Sequence, residues 1–247
     1  MEIEKAPATA GDILLVRGDN KISLGLVTAQ KTIYAQACSS HVAISLDCGA
    51  FIHSTSKGVH IDFIPRILSE CRSDWRVIRL RSVTDKQRWS LIRSSNFYLG
   101  QDYNRKFMLP GNASSSFCSE LAAKAYIKAG MNVFEEKDPS QVTPAFFDRQ
   151  ADKLEEWEDV TEEHRALISE MEAEPTRALA AYTEVAASLQ RLHVTNMKTE
   201  MLTQLALEIV ESDAGKEEIR DARRKLESET KHKYWNVQGD DKPSDGN

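Results

Sequence analysis

The chain has 247 residues, 41% hydrophobic and 28% charged, with a formal net charge of −6. That length and composition exclude a disulfide-dependent mini-domain and a wholly disordered chain, and leave room for one or two domains with a sizeable core. Residues 1–130 carry 17 Lys/Arg against 11 Asp/Glu and residues 131–247 carry 15 against 27, which reads as two solvated surfaces of different composition.

Four widely spaced cysteines (Cys38, Cys48, Cys71, Cys118) with no CxxC pair suggest neither a disulfide framework nor a zinc knuckle. The first dozen residues lack the apolar core of a signal peptide. No run approaches the roughly twenty apolar residues of a membrane span. The expected compartment is the cytoplasm, with signal-independent export as an effector left open.

Ile13-Leu14-Leu15-Val16, after the turn Gly11-Asp12, reads as a buried strand. A helix and then a loop are expected between Ile22 and Ala37. His41 to Leu46, Phe51 to Ser54 and Val59 to Phe63 are short β-branched runs separated by turn residues, the pattern of an antiparallel meander. A short helix from Arg66 to Cys71 and a strand from Trp75 to Leu80 follow. Thr84 is the N-cap candidate of a helix ending at Gly100. Residues 101–116 are rich in Gly, Pro, Asn and Ser and read as a loop. A helix runs from Cys118 to Gly130, a shorter one follows Thr143-Pro144, and an extended piece lies between Leu154 and Val160.

From Thr161 the character changes. No glycine occurs between Gly130 and Gly215, and apolar residues recur every three or four positions. Pro175, Thr195 and Asp213 divide the region into about four helices, as a bundle or as an arm over the first domain. The expected organisation is therefore α+β: residues 1–160 with an antiparallel sheet and a cysteine-bearing helix, residues 161–238 all helical, and a disordered tail from Gly239.

Chemistry concentrates at Ser114-Ser115-Ser116-Phe117-Cys118-Ser119-Glu120. A loop of small polar residues delivers Cys118 to a helix start, where unpaired N–H groups lower a thiol pKa. The alternative is an inert, packed cysteine. A nucleophilic thiol needs a base, and the base needs a third group to orient it. His41 and His53 sit on neighbouring strands of a predicted hairpin that would bring them side by side. His60 reads as solvated. His164, His193 and His232 lack metal-like spacing, and no metal or cofactor is expected.

The ordered set Gly11-Asp12-Ile13-Leu14, Ser40-His41-Val42-Ala43-Ile44, Phe51-Ile52-His53-Ser54, Gly58-Val59, Gly100, Tyr103 and Phe117-Cys118-Ser119-Glu120-Leu121 resembles the circularly permuted branch of the NlpC-type papain-like cysteine hydrolases. These are the YiiX-like proteins, related to the lecithin:retinol acyltransferase group. The resemblance covers about residues 10–160 and implies a papain-like fold. It also implies Cys118 as nucleophile, His41 as base, His53 as its orienting partner and Tyr103 as an oxyanion donor. His53 departs from the acid that permuted members often carry there. The resemblance leaves the role of Glu120 open beyond a helix cap.

The expectation that follows is a cysteine hydrolase acting through an acyl-enzyme on a peptide amide such as a peptidoglycan fragment, or on an acyl ester or thioester of a lipid. Two other readings stand beside it: a non-catalytic binding or effector protein whose acidic helices dock a protein partner, and a redox-sensing thiol at Cys118. No nucleic-acid partner is expected, because no aromatics interleave with the basic residues.

Overall fold

The computed structural model describes residues 8–105, 114–131, 133–134, 137–213 and 221. Ile13–Val16 forms β1, which pairs antiparallel with β2 (His41–Asp47) on one side and β5 (Arg76–Leu80) on the other. Side chains alternate along a strand, so Ile13 and Leu15 face one way and Leu14 and Val16 the other. All four are buried, which is why this run is apolar without alternation. With β3 (Ala50–Thr55), β4 (Gly58–Phe63) and β8 (Trp157–Asp159), the sheet order is β4-β3-β2-β1-β5-β8, antiparallel throughout. The α+β expectation holds.

One face is covered by α3 (Asp85–Phe97) and α4 (Cys118–Lys128). Leu121, Ala122, Ala125 and Tyr126 share a core with Ile13, Val42, Ile44 and Ile52. The opposite face carries α2 (Ile64–Ser69) and α6 (Thr161–Ala173), with Ile67 and Met171 over Leu14, Ala43 and Phe51. Helix α1 (Lys21–Gln30) begins at Asn20, whose side chain accepts from the Ser23 N–H at 2.8 Å. Helix α5 (Pro144–Lys153) starts with proline at its first position, as expected.

Two features differ from the sequence expectations. The predicted loop at 101–116 contains two short parallel strands, β6 (Asp102–Tyr103) and β7 (Ser115–Ser116). The region after Thr161 contains two helices among the described residues, α6 and a 39-residue α7 (Pro175–Asp213), instead of about four. Thr195 does not cap a new helix. Its carbonyl accepts from the Thr199 hydroxyl at 3.0 Å, and Thr199 in turn accepts from Thr203 at 2.9 Å. Threonines that bond one turn back can ride inside a helix. Apart from residue 221, the rest of the expected helical region (214–238) and the tail from Gly239 lie outside the described residues.

These helices lie over the first part of the chain. Tyr182 of α7 packs on Phe63 with ring centroids 4.8 Å apart, and His193 Nδ1 lies 3.1 Å from the Asn96 carbonyl oxygen. Asp12, fully buried, accepts from Arg79 Nε and Nη2, each at 2.8 Å, and lies 2.8 Å from His164 Nε2 of α6. Gly11-Asp12 thus ties β1, β5 and α6 together, a structural task. No helix among the described residues is long and apolar enough to cross a membrane.

Candidate active site

Cys118 is the first residue of α4, and Phe117 before it is extended (φ −89°, ψ 174°). Glu120, at the third helical position, accepts from the Phe117 N–H at 3.2 Å and so caps the helix. The same oxygen accepts from Asn104 Nδ2 at 2.9 Å, and the other oxygen lies 2.8 Å from Lys124 Nζ. Glu120 is fully buried, and this network fastens the segment bearing Tyr103 to the helix bearing Cys118.

The backbone N–H groups of Val42, Ser119 and Cys118 itself and the Ser119 hydroxyl surround the sulfur and favour a thiolate. Burial opposes them and prevails: the thiol is pushed up to about 11. The fall expected at a helix start is therefore overturned in this state, because loss of solvation outweighs the N–H groups. Among the described residues, the sulfur makes no hydrogen bond to a histidine ring. Val42, whose N–H is one of these groups, follows His41 on β2.

His41 and His53 do come together. His41 Nε2 lies 3.0 Å from His53 Nδ1, with the rings edge to face. The row continues: His53 Nε2 lies 3.0 Å from His60 Nε2, and His60 Nδ1 lies 3.0 Å from the Gly58 carbonyl oxygen. His60 is thus part of the site, not a solvated histidine. Its signal was present in the sequence. A two-residue turn at Ser56-Lys57 pairs Thr55 with Gly58 and therefore His53 with His60. Gly58 has φ +89°, and a Cβ there would stand 2.4 Å from the Gln101 carbonyl oxygen, so glycine fits this turn. Burial, then the charge of His60, pushes His41 down to about 4; burial, then His41, pushes His53 down to about 2. Both rings are neutral at pH 7.

The approach to His41 is held from α1 and α5. Asp148 accepts from the N–H groups of Cys38 and Ser39, each at 2.9 Å, and from the Ser39 hydroxyl at 2.6 Å. Gln30 donates to the Ser39 carbonyl at 3.0 Å and accepts from the Ala145 N–H at 2.7 Å. Neither residue was singled out in the sequence: Asp148 lies 110 and 109 positions from Cys38 and Ser39, and Gln30 lies 115 from Ala145.

Tyr103 lies near the sulfur. Burial, followed by the charge on Cys118, pushes its hydroxyl up to about 12, so it keeps its proton. Cys118, His41, His53 and Tyr103 all line one cavity of about 800 Å³. Ile22, Leu26 and Ile33 give this cavity an apolar wall from α1 and the residues after it. Ile22 and Ile33 are among the exposed large hydrophobics. Among the described residues, those able to hold a metal ion by geometry are His53, His60 and Asp62, whose donor atoms lie within 4.8 Å of one another.

A family described as permuted papain-like amidase enzyme, YaeF/YiiX, C92 family, matches residues 8–175. No curated protein matches the chain. Among solved structures, the chain is similar to the crystal structure of metalloprotein YiiX from Escherichia coli O157:H7. The identity is 18% and the TM-score 0.46, over 64% of this chain and 97% of that one.

Proposed function

Since the chain belongs to the permuted papain-like amidase family, we propose that it is a cysteine amidase with Cys118 as nucleophile, His41 as general base and His53 as the residue that orients His41. The observation that carries this reading is the histidine row ending on a carbonyl. The Gly58 oxygen can only accept, so His60 carries its proton on Nδ1 and accepts at Nε2. His53 then donates from Nε2 and accepts at Nδ1, and His41 donates from Nε2. His41 Nδ1 is left with a lone pair, the state a base requires.

With the thiol up at about 11 and His41 down at about 4, the resting pair is neutral. The proton leaves Cys118 as the sulfur attacks the carbonyl carbon, and His41 receives it. The Cys118 N–H and the Tyr103 hydroxyl are the donors for the oxyanion. His41 then protonates the leaving amine, and water, deprotonated by His41, releases the acid from the thioester. Hydrogen bonds between nucleophile and base tighten when substrate excludes water, which accommodates the missing Cys118–His41 bond in the free protein.

The proposed substrate is a peptide amide such as a peptidoglycan fragment, met in the cytoplasm. The apolar wall of Ile22, Leu26 and Ile33 favours a second reading, an amide, ester or thioester with an aliphatic acyl group lying along α1. Incubation with peptide amides and N-acyl amides, followed by mass spectrometry of released amine, separates the two. Hydrolysis of either set that is lost in Cys118→Ala supports the amidase. Hydrolysis that survives Cys118→Ala refutes it.

A further inference from the structure

We propose that His53, His60 and Asp62 form a divalent-cation site, and that a cation held there blocks the Cys118–His41 pair by reversing the protons along the histidine row. The second part rests on the function proposed above; the site itself does not.

The β3–β4 register builds the site. His60 stands directly across from His53, and Asp62, two residues along β4, points from the same face. The donor atoms of the three lie within 4.8 Å of one another, and the two Nε2 atoms are 3.0 Å apart. Two imidazoles with nitrogens this close, both aimed at one region, make a two-point clamp for an ion. The hydrogen bond from His60 Nδ1 to the Gly58 carbonyl is the outer contact that fixes a ligating histidine and turns its Nε2 inward. Asp62 supplies a carboxylate whose charged neighbour, Arg66 at 3.6 Å, is 65% exposed and free to swing aside. All three ligands line the cavity, so a further coordination position faces its interior. Two imidazoles and one carboxylate suit zinc or cobalt better than calcium or magnesium.

The consequence follows from proton bookkeeping along the row. In the cation-free row, His41 donates from Nε2 to His53 Nδ1. When His53 and His60 both ligate through Nε2, neither nitrogen carries a proton, and His53 must carry its proton on Nδ1. That proton points at His41 Nε2, 3.0 Å away, which must now accept. His41 then holds its own proton on Nδ1, the nitrogen that would have taken the thiol proton. A doubly protonated His41 would face the His53 N–H with an N–H of its own. An occupied cation site and a basic His41 therefore exclude each other.

The site is tested first without the thiol. Full-length Cys118→Ala protein, stripped with EDTA, is titrated with Co²⁺ and followed by visible absorption. The expected result is d–d absorption of a low-coordinate cobalt, saturating at a single equivalent, abolished in Cys118→Ala/His60→Gln and weakened in Cys118→Ala/Asp62→Asn. Absence of the absorption, or absorption indifferent to His60→Gln, overturns the site. The coupling is tested in protein with Cys118 intact, by acylation of that cysteine with p-nitrophenyl acetate with and without Zn²⁺. Zinc should slow acylation about tenfold or more, a part of what a general base supplies, and the ratio should collapse toward one in Asp62→Asn. Equal slowing in Asp62→Asn would place the zinc on Cys118 itself and overturn the coupling, as would cobalt binding with no slowing by zinc.

Discussion

His60 Nδ1 lies 3.0 Å from the carbonyl oxygen of Gly58, and this contact sets the protonation pattern of three imidazoles. Replacing His60 with leucine removes the terminal acceptor of the row and leaves His53 Nε2 without its partner. The expected effect on cation-free protein is a fall in kcat of about 10- to 100-fold with KM little changed, as for the loss of an orienting residue around a general base. Steady-state kinetics in EDTA measures it. An unchanged kcat would remove His60 from the site. Rescue by His60→Gln, whose amide can still accept from His53, would separate orientation from packing.

The resting site titrates far from neutrality. With His41 pushed down to about 4, kcat/KM should hold level from pH 7 to about 5 and fall only as His41 takes a proton near 4. A limb centred at 6.5, the ordinary histidine value, would contradict the burial of this ring. With the thiol up at about 11, iodoacetamide labelling of Cys118 in the absence of substrate should be slow at pH 6 and climb steadily above pH 8. Fast labelling at pH 6 would instead mean a preformed thiolate–imidazolium pair.

The same histidines make stability depend on pH. The unfolded rings take protons below about 6.5, whereas the folded rings resist until about 4 for His41 and about 2 for His53. Their contribution is fully present above 6.5 and is lost as pH falls toward the folded values, at about 1.4 kcal/mol per pH unit for each ring. The urea midpoint in EDTA should be clearly lower at pH 5 than at pH 7, with a smaller difference in His53→Asn. A midpoint that does not move between these pH values would contradict neutral burial of the row.

Asp12 anchors α6 to the sheet. Asp12→Ala would leave Arg79, only 14% exposed, and His164, 1% exposed, without their shared carboxylate. The expected loss is about 3–5 kcal/mol, the usual cost of removing one member of a buried charged set. Chemical denaturation measures it, and a loss below about 1 kcal/mol would mean that water reaches the guanidinium. Because Asp12 does not line the cavity that holds Cys118, activity at low temperature should persist.

The site was legible where chemistry follows local pattern. Alternating strands around short turns were enough to bring His41 to His53, and the run of small polar residues before Leu121 was enough to put Cys118 at a helix start. His60 could have been found by counting through the Ser56-Lys57 turn; reading each histidine alone hid it. The thiol's state was not legible, because N–H donation and burial oppose each other and only packing decides between them. Asp12 and His164 are 152 positions apart, so no local pattern announces their contact. The length of α7 was misread because threonine serves both as a cap and as a helix residue that bonds back on its own carbonyls.

The most direct test of the central claim is acylation by p-nitrophenyl acetate, read by peptide mass spectrometry on wild type, Cys118→Ala and His41→Ala in EDTA. The account predicts one acetyl group on the peptide containing Cys118, none in Cys118→Ala, and acylation slowed at least about 100-fold in His41→Ala. Acetyl on another residue, or acylation of His41→Ala at the wild-type rate, would contradict it.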